Sequence, residues 1–172
     1  LALRRVVECG ALGEIVQVFA QKSYPYHEHR PQDENIDGGL IGQNCGHALR
    51  FIEQVAMQRV ATVEAIETGR GNPRDGGLMM ACSLQMRLEN GGIATAVANY
   101  CNPHAFGSWG NETLRVWGTA GMAEITDGGA RTRLVLDHED KGPLDLGEPS
   151  RDYLDVILAH LRGECPMPRP LD

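Results

Sequence analysis

Along this chain the spacing of hydrophobic residues switches several times between a helical period and a period of two. Residues 2–9 carry Leu3, Val6 and Val7 at helical spacing, and Cys9-Gly10 stops that short helix. Residues 15–21 form a β-branched run that predicts a strand. From 41 to 56 the period is helical again. Ile41, Cys45, Ala48, Leu49, Ile52, Val55 and Ala56 fall on one stripe, and Gln43, His47, Arg50 and Gln54 on the opposite one. Residues 60–67 read as a second strand.

Over residues 78–89 the period is two. Leu78, Met80, Cys82, Leu84, Met86 and Leu88 point one way, and Met79, Ala81, Ser83, Gln85 and Arg87 the other. Asn90-Gly91-Gly92 makes a tight turn. Residues 93–101 return with Ile93, Thr95, Val97, Asn99 and Cys101 opposite Ala94, Ala96, Ala98 and Tyr100. Segments 112–118 and 122–126 predict another hairpin, and 131–137 a further strand. Residues 141–149 read as a Gly/Pro loop. Ser150 is a good N-cap for a last helix over 151–162, with Tyr153, Leu154, Val156, Ile157, Leu158 and Leu161 packed and Asp152, Asp155 and Arg162 outward. Gly163 ends it, and prolines fill the tail.

This order predicts an α+β fold: an open, mostly antiparallel sheet with helices on one face, forming one domain over residues 1–172. Neither hairpin strand has a fully charged face. The sheet surface away from the helices is therefore expected to meet either another protein surface or solvent. The chain opens inside a helix without an initiator methionine, so it reads as a piece of a longer protein.

Composition narrows the class. With 16 basic and 23 acidic side chains the net charge is -7, which disfavours nucleic acid as a partner. No apolar run approaches the roughly 20 residues a spanning helix needs, so no membrane partner is expected. Five widely spaced cysteines lack any CxxC pair and fit reduced thiols in a cytoplasmic protein. Gly69-Arg70-Gly71 has no third glycine and opens no helix, so no dinucleotide fingerprint is present.

The candidate chemistry lies on the polar stripe of helix 41–56 and in loop 23–37, which is long for a compact domain. That loop holds His27, His29 and Arg30. His27-x-His29 has the spacing of half a metal site, but no third ligand is obvious nearby. A metal-dependent enzyme is thus the least favoured reading, and no metal site is assigned.

Five segments, in order, resemble the Gfo/Idh/MocA oxidoreductase family. They are the lead-in 7–15 (VECGALGEI), the glycine-to-histidine stretch 37–47 (DGGLIGQNCGH), the LEN-Gly turn in 84–95, the 112–121 hairpin (ETLRVWGTAG), and the closing helix 153–166. The resemblance implies the C-terminal domain of a two-domain enzyme, in which an N-terminal Rossmann domain, absent here, binds NAD or NADP. It implies a sugar, polyol or related hydroxy compound as substrate, and homo-oligomerisation through the open sheet. His47 matches the motif histidine, which in dehydrogenating members moves a proton to or from the substrate hydroxyl. An imidazole suits that work because it titrates near neutral pH.

Gln43 stands where the motif has aspartate, and Gly46 shows that the motif glycine is displaced. Glutamine can orient a substrate but cannot exchange a proton at neutral pH. The catalytic assignment is therefore His47 with Gln43 as orienter. His27, His29, Arg30, Arg50 and His104 are expected substrate contacts. The alternative is a non-catalytic ligand-binding or regulatory member of the family.

Overall fold

The computed structural model describes residues 1–107, 109–147 and 153–165. In it, helix α1 (Ala2–Glu8) leads into strand β1 (Ile15–Ser23). Helix α2 follows over residues 41–55. Then come strands β2 (Val60–Thr68), β3 (Ala81–Leu88), β4 (Ile93–Asn99), β5 (Asn111–Gly118), β6 (Gly121–Thr126), β7 (Arg131–Leu136) and β8 (Glu139–Gly142). Helix α3 spans Tyr153–Leu161. The eight strands make one sheet in the order β2-β3-β4-β1-β5-β6-β7-β8. Among the described residues only β1 and β4 pair in parallel; the other pairings are antiparallel. The α+β expectation is met.

Burial follows the period-two pattern. Leu78, Met80, Cys82, Leu84, Met86 and Leu88 are buried under the helices, and so are Ala94, Ala96 and Ala98 of the returning strand. Helices α1 and α2 cover this face, α2 lying over β1 and β4 and α1 against β6. The small alanine side chains let α2 approach the sheet closely. Fully buried Leu3, Leu12, Leu40 and Ile52 fill the layer between, each worth roughly 1.5–3 kcal/mol of burial.

Two local features fix this arrangement. Asn90, in the β3–β4 turn, donates from Nδ2 to the Ile15 carbonyl at 2.8 Å and accepts from the Gly92 amide at 2.9 Å, tying the hairpin to the start of β1. The β5–β6 turn sits on the lead-in to β1: the Ala120 amide donates to the Leu12 carbonyl at 2.9 Å and the Thr119 amide to the Glu14 carbonyl at 3.0 Å. A Cβ on Gly118 would come within 2.1 Å of the Leu12 carbonyl oxygen, so glycine there is a packing requirement.

Helix α2 departs from a plain α-helix. It runs as a π segment Ile41–Cys45, an α segment Gly46–Arg50 and a π segment Phe51–Val55. The expected stripe survives: Cys45, Ala48, Ile52 and Ala56 are buried, while Gln43, His47 and Arg50 are exposed. A π turn closes i→i+5 bonds and so carries one residue more than an α turn. Asn44, which lies on neither predicted stripe, is buried.

Two expectations need correction. Residues 141–149 are not all loop, because β8 pairs with β7 through Leu136↔Glu139, Val135↔Asp140 and Leu134↔Gly142. Its sequence, Glu-Asp-Lys-Gly, has no strand preference. The edge is held instead by a tight turn with Asp137 at φ +48° and by the Arg133–Asp140 ion pair at 2.6 Å. The last helix exists, but Leu154, Leu158 and Leu161 are 66, 47 and 74 % exposed. Their i, i+4, i+7 spacing makes an apolar stripe, as expected, yet that stripe is not buried against the sheet. The predicted cap Ser150, with Arg151 and Asp152, lies outside the described residues.

The sheet face away from the helices is divided. Toward β5–β8 it is charged, with Arg115–Glu124 and Arg133–Asp140 pairs at 2.6 Å beside a broad depression of about 620 Å3. Toward β2–β4 it is mixed: Ile66 and Ile93, 76 and 47 % exposed, stand among exposed Thr62, Glu64, Gln85 and Arg87 and half-buried Thr95 and Val97.

Candidate functional site

Helix α2 begins on a folded loop. The Gly39 amide donates to Asp37 Oδ1 at 3.0 Å, and the Gly38 amide to the Glu34 carbonyl at 2.8 Å. Gly39 sits at φ +60°, and a Cβ there would meet the Glu34 side chain at 2.5 Å. Gly38, at φ +83°, and Gly39 are thus required by turn geometry. Gln43 Nε2 donates to the Asp37 carbonyl at 2.7 Å, so this amide braces the helix start.

One turn further, His47 lines a recess of about 480 Å3 with Phe51 of α2, Lys22 of β1, Glu112 and Thr113 of β5, and Gly128–Gly129. Lys22 and Glu112 face each other in the β1–β5 register and form an ion pair. Their side chains are 13 and 24 % exposed, so the pair is shielded more than an ordinary surface salt bridge. Lys22 Nζ also lies 4.9 Å from the centre of the Tyr24 ring. Neither Lys22 nor Glu112 stood out in the sequence. They are 90 residues apart, and only the strand register joins them.

A second recess, of about 510 Å3, is lined by Tyr26, Glu28, His29, Pro73, Arg74 and His104. Arg74 Nη1 donates to the Glu28 carbonyl at 2.8 Å, pinning the 23–37 loop to the β2–β3 linker. Nearby, His27 stacks on Trp109 at 4.8 Å and meets His104 edge-on at 5.8 Å. Trp109 contacts Tyr24 at 5.5 Å. The aromatic chain His104, His27, Trp109, Tyr24 therefore runs from the second recess to Lys22 at the first.

The structure brings His27, His29 and His104 into one cluster and places His47 at the other end of that chain. It separates three other candidates from the recesses. Arg30 lies over the Tyr100 ring at 3.7 Å. There burial holds the Tyr100 phenol above its ordinary pKa, with Asp37 and Glu34 adding to the rise and the Arg30 charge opposing it. Arg50 and Gln43 are exposed on α2 but do not line the His47 recess. Among the described residues, no three His, Cys, Asp or Glu side chains converge as a metal site.

Comparison with known proteins is decisive for the family. The profile of the GFO/IDH/MocA C-terminal domain matches residues 1–124. The chain belongs to the GFO/IDH/MocA family. No match was found among curated proteins. Solved structures of similar fold include an inferred oxidoreductase from Thermotoga maritima, 25% identical with a TM-score of 0.83, covering 95% of this chain and 49% of that one. An aldose-aldose oxidoreductase from Caulobacter crescentus, complexed with glycerol, is 21% identical with a TM-score of 0.76, covering 96% and 51%. A levoglucosan dehydrogenase, in complex with NADH and L-sorbose, is 14% identical with a TM-score of 0.71, covering 86% and 43%. The chain thus spans about half the length of these proteins.

Gly69-Arg70-Gly71 lies in the linker between antiparallel strands β2 and β3, with no helix opening from it. No described helix is long and apolar enough to cross a membrane.

Proposed function

We propose that this chain is the substrate-binding and oligomerisation domain of a longer, two-domain NAD(P)-dependent oxidoreductase of the cytoplasm. Its substrate is a sugar, polyol or related hydroxy compound. The observation that carries this reading is the His47 recess. An exposed imidazole on a family motif helix faces a shielded Lys22–Glu112 pair, a setting suited to polyhydroxy ligands. The nicotinamide, held by the other domain, would supply or accept the hydride. Within this chain, His47 takes the proton from the substrate hydroxyl in oxidation and returns it in reduction. Lys22 and Glu112 offer a donor and an acceptor to neighbouring hydroxyls. His29 and His104 bind more distant parts of the ligand. The β2–β4 part of the open face, where Ile66 and Ile93 are exposed among polar side chains, pairs with a second copy.

One observation favours a second reading. Gln43, at the motif aspartate position, donates to the Asp37 backbone and does not line the recess. His47 then has no carboxylate at the motif position one turn before it, as in a member that binds its ligand without turning it over.

Assaying the full-length protein with NAD(H) and NADP(H) against a panel of aldoses, ketoses and polyols separates the two. Turnover of a member of the panel supports the enzyme. Calorimetric binding of a sugar with no change in nicotinamide absorbance supports the binding protein. Failure of every sugar to bind or react overturns both.

A further inference from the structure

Cys45 and Cys82 take no part in the reading above. Their sulfurs lie 3.1 Å apart, and both residues are buried. Cys45 closes the first π turn of α2, and Cys82 is the second residue of β3, so the contact joins the helical layer to the sheet through the core. A buried cysteine often serves only as a small hydrophobe. The other three differ in what their sulfur reaches: Cys9, Cys101 and Cys165 contact the carbonyls of Val6, Met80 and Val156 at 3.3, 3.9 and 3.8 Å. Among the described residues, only Cys45 and Cys82 point their sulfurs at each other.

We propose that Cys45 and Cys82 are a redox modification site, a dithiol that a hydroperoxide converts to a disulfide tying the His47 helix to the sheet. The Cys45 and Cys82 sulfurs share one hydrogen bond in which either can be the donor, and the backbone amide of Ala98 donates to Cys82 as well. These bonds hold the Cys82 thiol below its ordinary value against burial and the Glu67 and Glu34 carboxylates. The Cys45 thiol is pushed up, first by the same hydrogen bond and then by burial.

The sulfur contact lets either residue attack, and the step is proposed with Cys82 as the thiolate. Its sulfur takes the terminal peroxide oxygen, the O–O bond breaks, and an alcohol or water leaves as the peroxide is reduced. The resulting sulfenic acid is then attacked by the Cys45 sulfur. The S–O bond breaks, the S–S bond forms, and water departs with the Cys45 proton. Two thiols and one hydroperoxide give one disulfide, one alcohol or water, and one water.

Closing the sulfurs to the roughly 2.05 Å of a disulfide draws Cys45 inward by about 1 Å. His47 is two residues further along the same helix. The modification does not depend on His47 being catalytic, and its test reads the sulfurs directly.

The full-length protein, wild type and with Cys9, Cys101 and Cys165 changed to Ser, is exposed to hydrogen peroxide at neutral pH. It is then quenched with an alkylating reagent under denaturing conditions and mapped by mass spectrometry. The Cys45–Cys82 peptide pair is expected in both proteins, reversible by dithiothreitol. Its formation should be at least about tenfold faster in folded than in urea-unfolded protein, because the fold holds the sulfurs together. In Cys45→Ser, Cys82 should instead advance to sulfinic acid. Recovery of both residues as alkylated thiols in the folded wild type, or a cross-link that forms no faster folded than unfolded, overturns the proposal.

Discussion

Strand β4 turns two unlike faces to its surroundings. Toward the helices it presents Ala94, Ala96 and Ala98, all fully buried. Away from them it presents Ile93, Thr95 and Val97, half-buried or exposed. The larger apolar residues thus point out and the smallest point in. A polarity scale alone would have reversed the strand. The inner face needs small side chains because α2 crosses β4 and β1 closely. The outer face keeps apolar area that the described residues leave exposed, as at Ile93. The comparison teaches that the inner face is fitted to its own chain, whereas the outer face is left open among the described residues.

That contrast can be broken or sharpened by substitution. Ile52→Ala, on the covered side of α2, should cost about 2–5 kcal/mol in urea unfolding, and Ile93→Ala on the open side no more than about 0.5 kcal/mol if the subunit is measured as a monomer. Equal losses would remove the distinction. Ala96→Leu should cost about 1–3 kcal/mol by overpacking beneath α2, whereas Val97→Thr should leave the unfolding midpoint nearly unchanged. In the full-length protein, Ile93→Glu with Ile66→Lys should lower the association state in analytical ultracentrifugation while far-UV circular dichroism stays native. An unchanged association state would exclude the β2–β4 surface as the interface.

The smallest effect concerns Glu67, on edge strand β2. Partial desolvation, with the Glu34 carboxylate adding, raises its pKa above the ordinary 4.5. An acid whose folded pKa is raised destabilises the fold once pH exceeds the unfolded value. Glu67→Gln should therefore raise the melting temperature slightly at pH 7, with the gain vanishing below about pH 4.5. A gain that persisted at low pH would point to packing instead.

Much of this fold was legible in the residue pattern. The alternation from Leu78 to Leu88 gave the buried face directly, and the Asn90-Gly91 turn gave the hairpin. Strand β8 was not legible, because Glu139–Gly142 has strand geometry only through its pairing with β7. The stripe on α3 was legible, but its burial was not, since a helical period states which residues share a face and not what meets that face. At the site, His47 was readable from its place after the glycine turn, and loop 23–37 from its length. Lys22, Glu112 and Arg74 were not. The first two become neighbours through register, and Arg74 through a loop contact with Glu28. The Cys45–Cys82 contact is likewise a product of layer packing.

The account rests most heavily on His47 as the proton-transfer group in the first recess. The direct measurement is the rate of hydride transfer by full-length His47→Gln protein, followed by nicotinamide absorbance on the best substrate of the panel. The proton-transfer role predicts a loss of about 10²–10⁴-fold in kcat, with KM changed much less. A variant that keeps kcat within about twofold of wild type would contradict it.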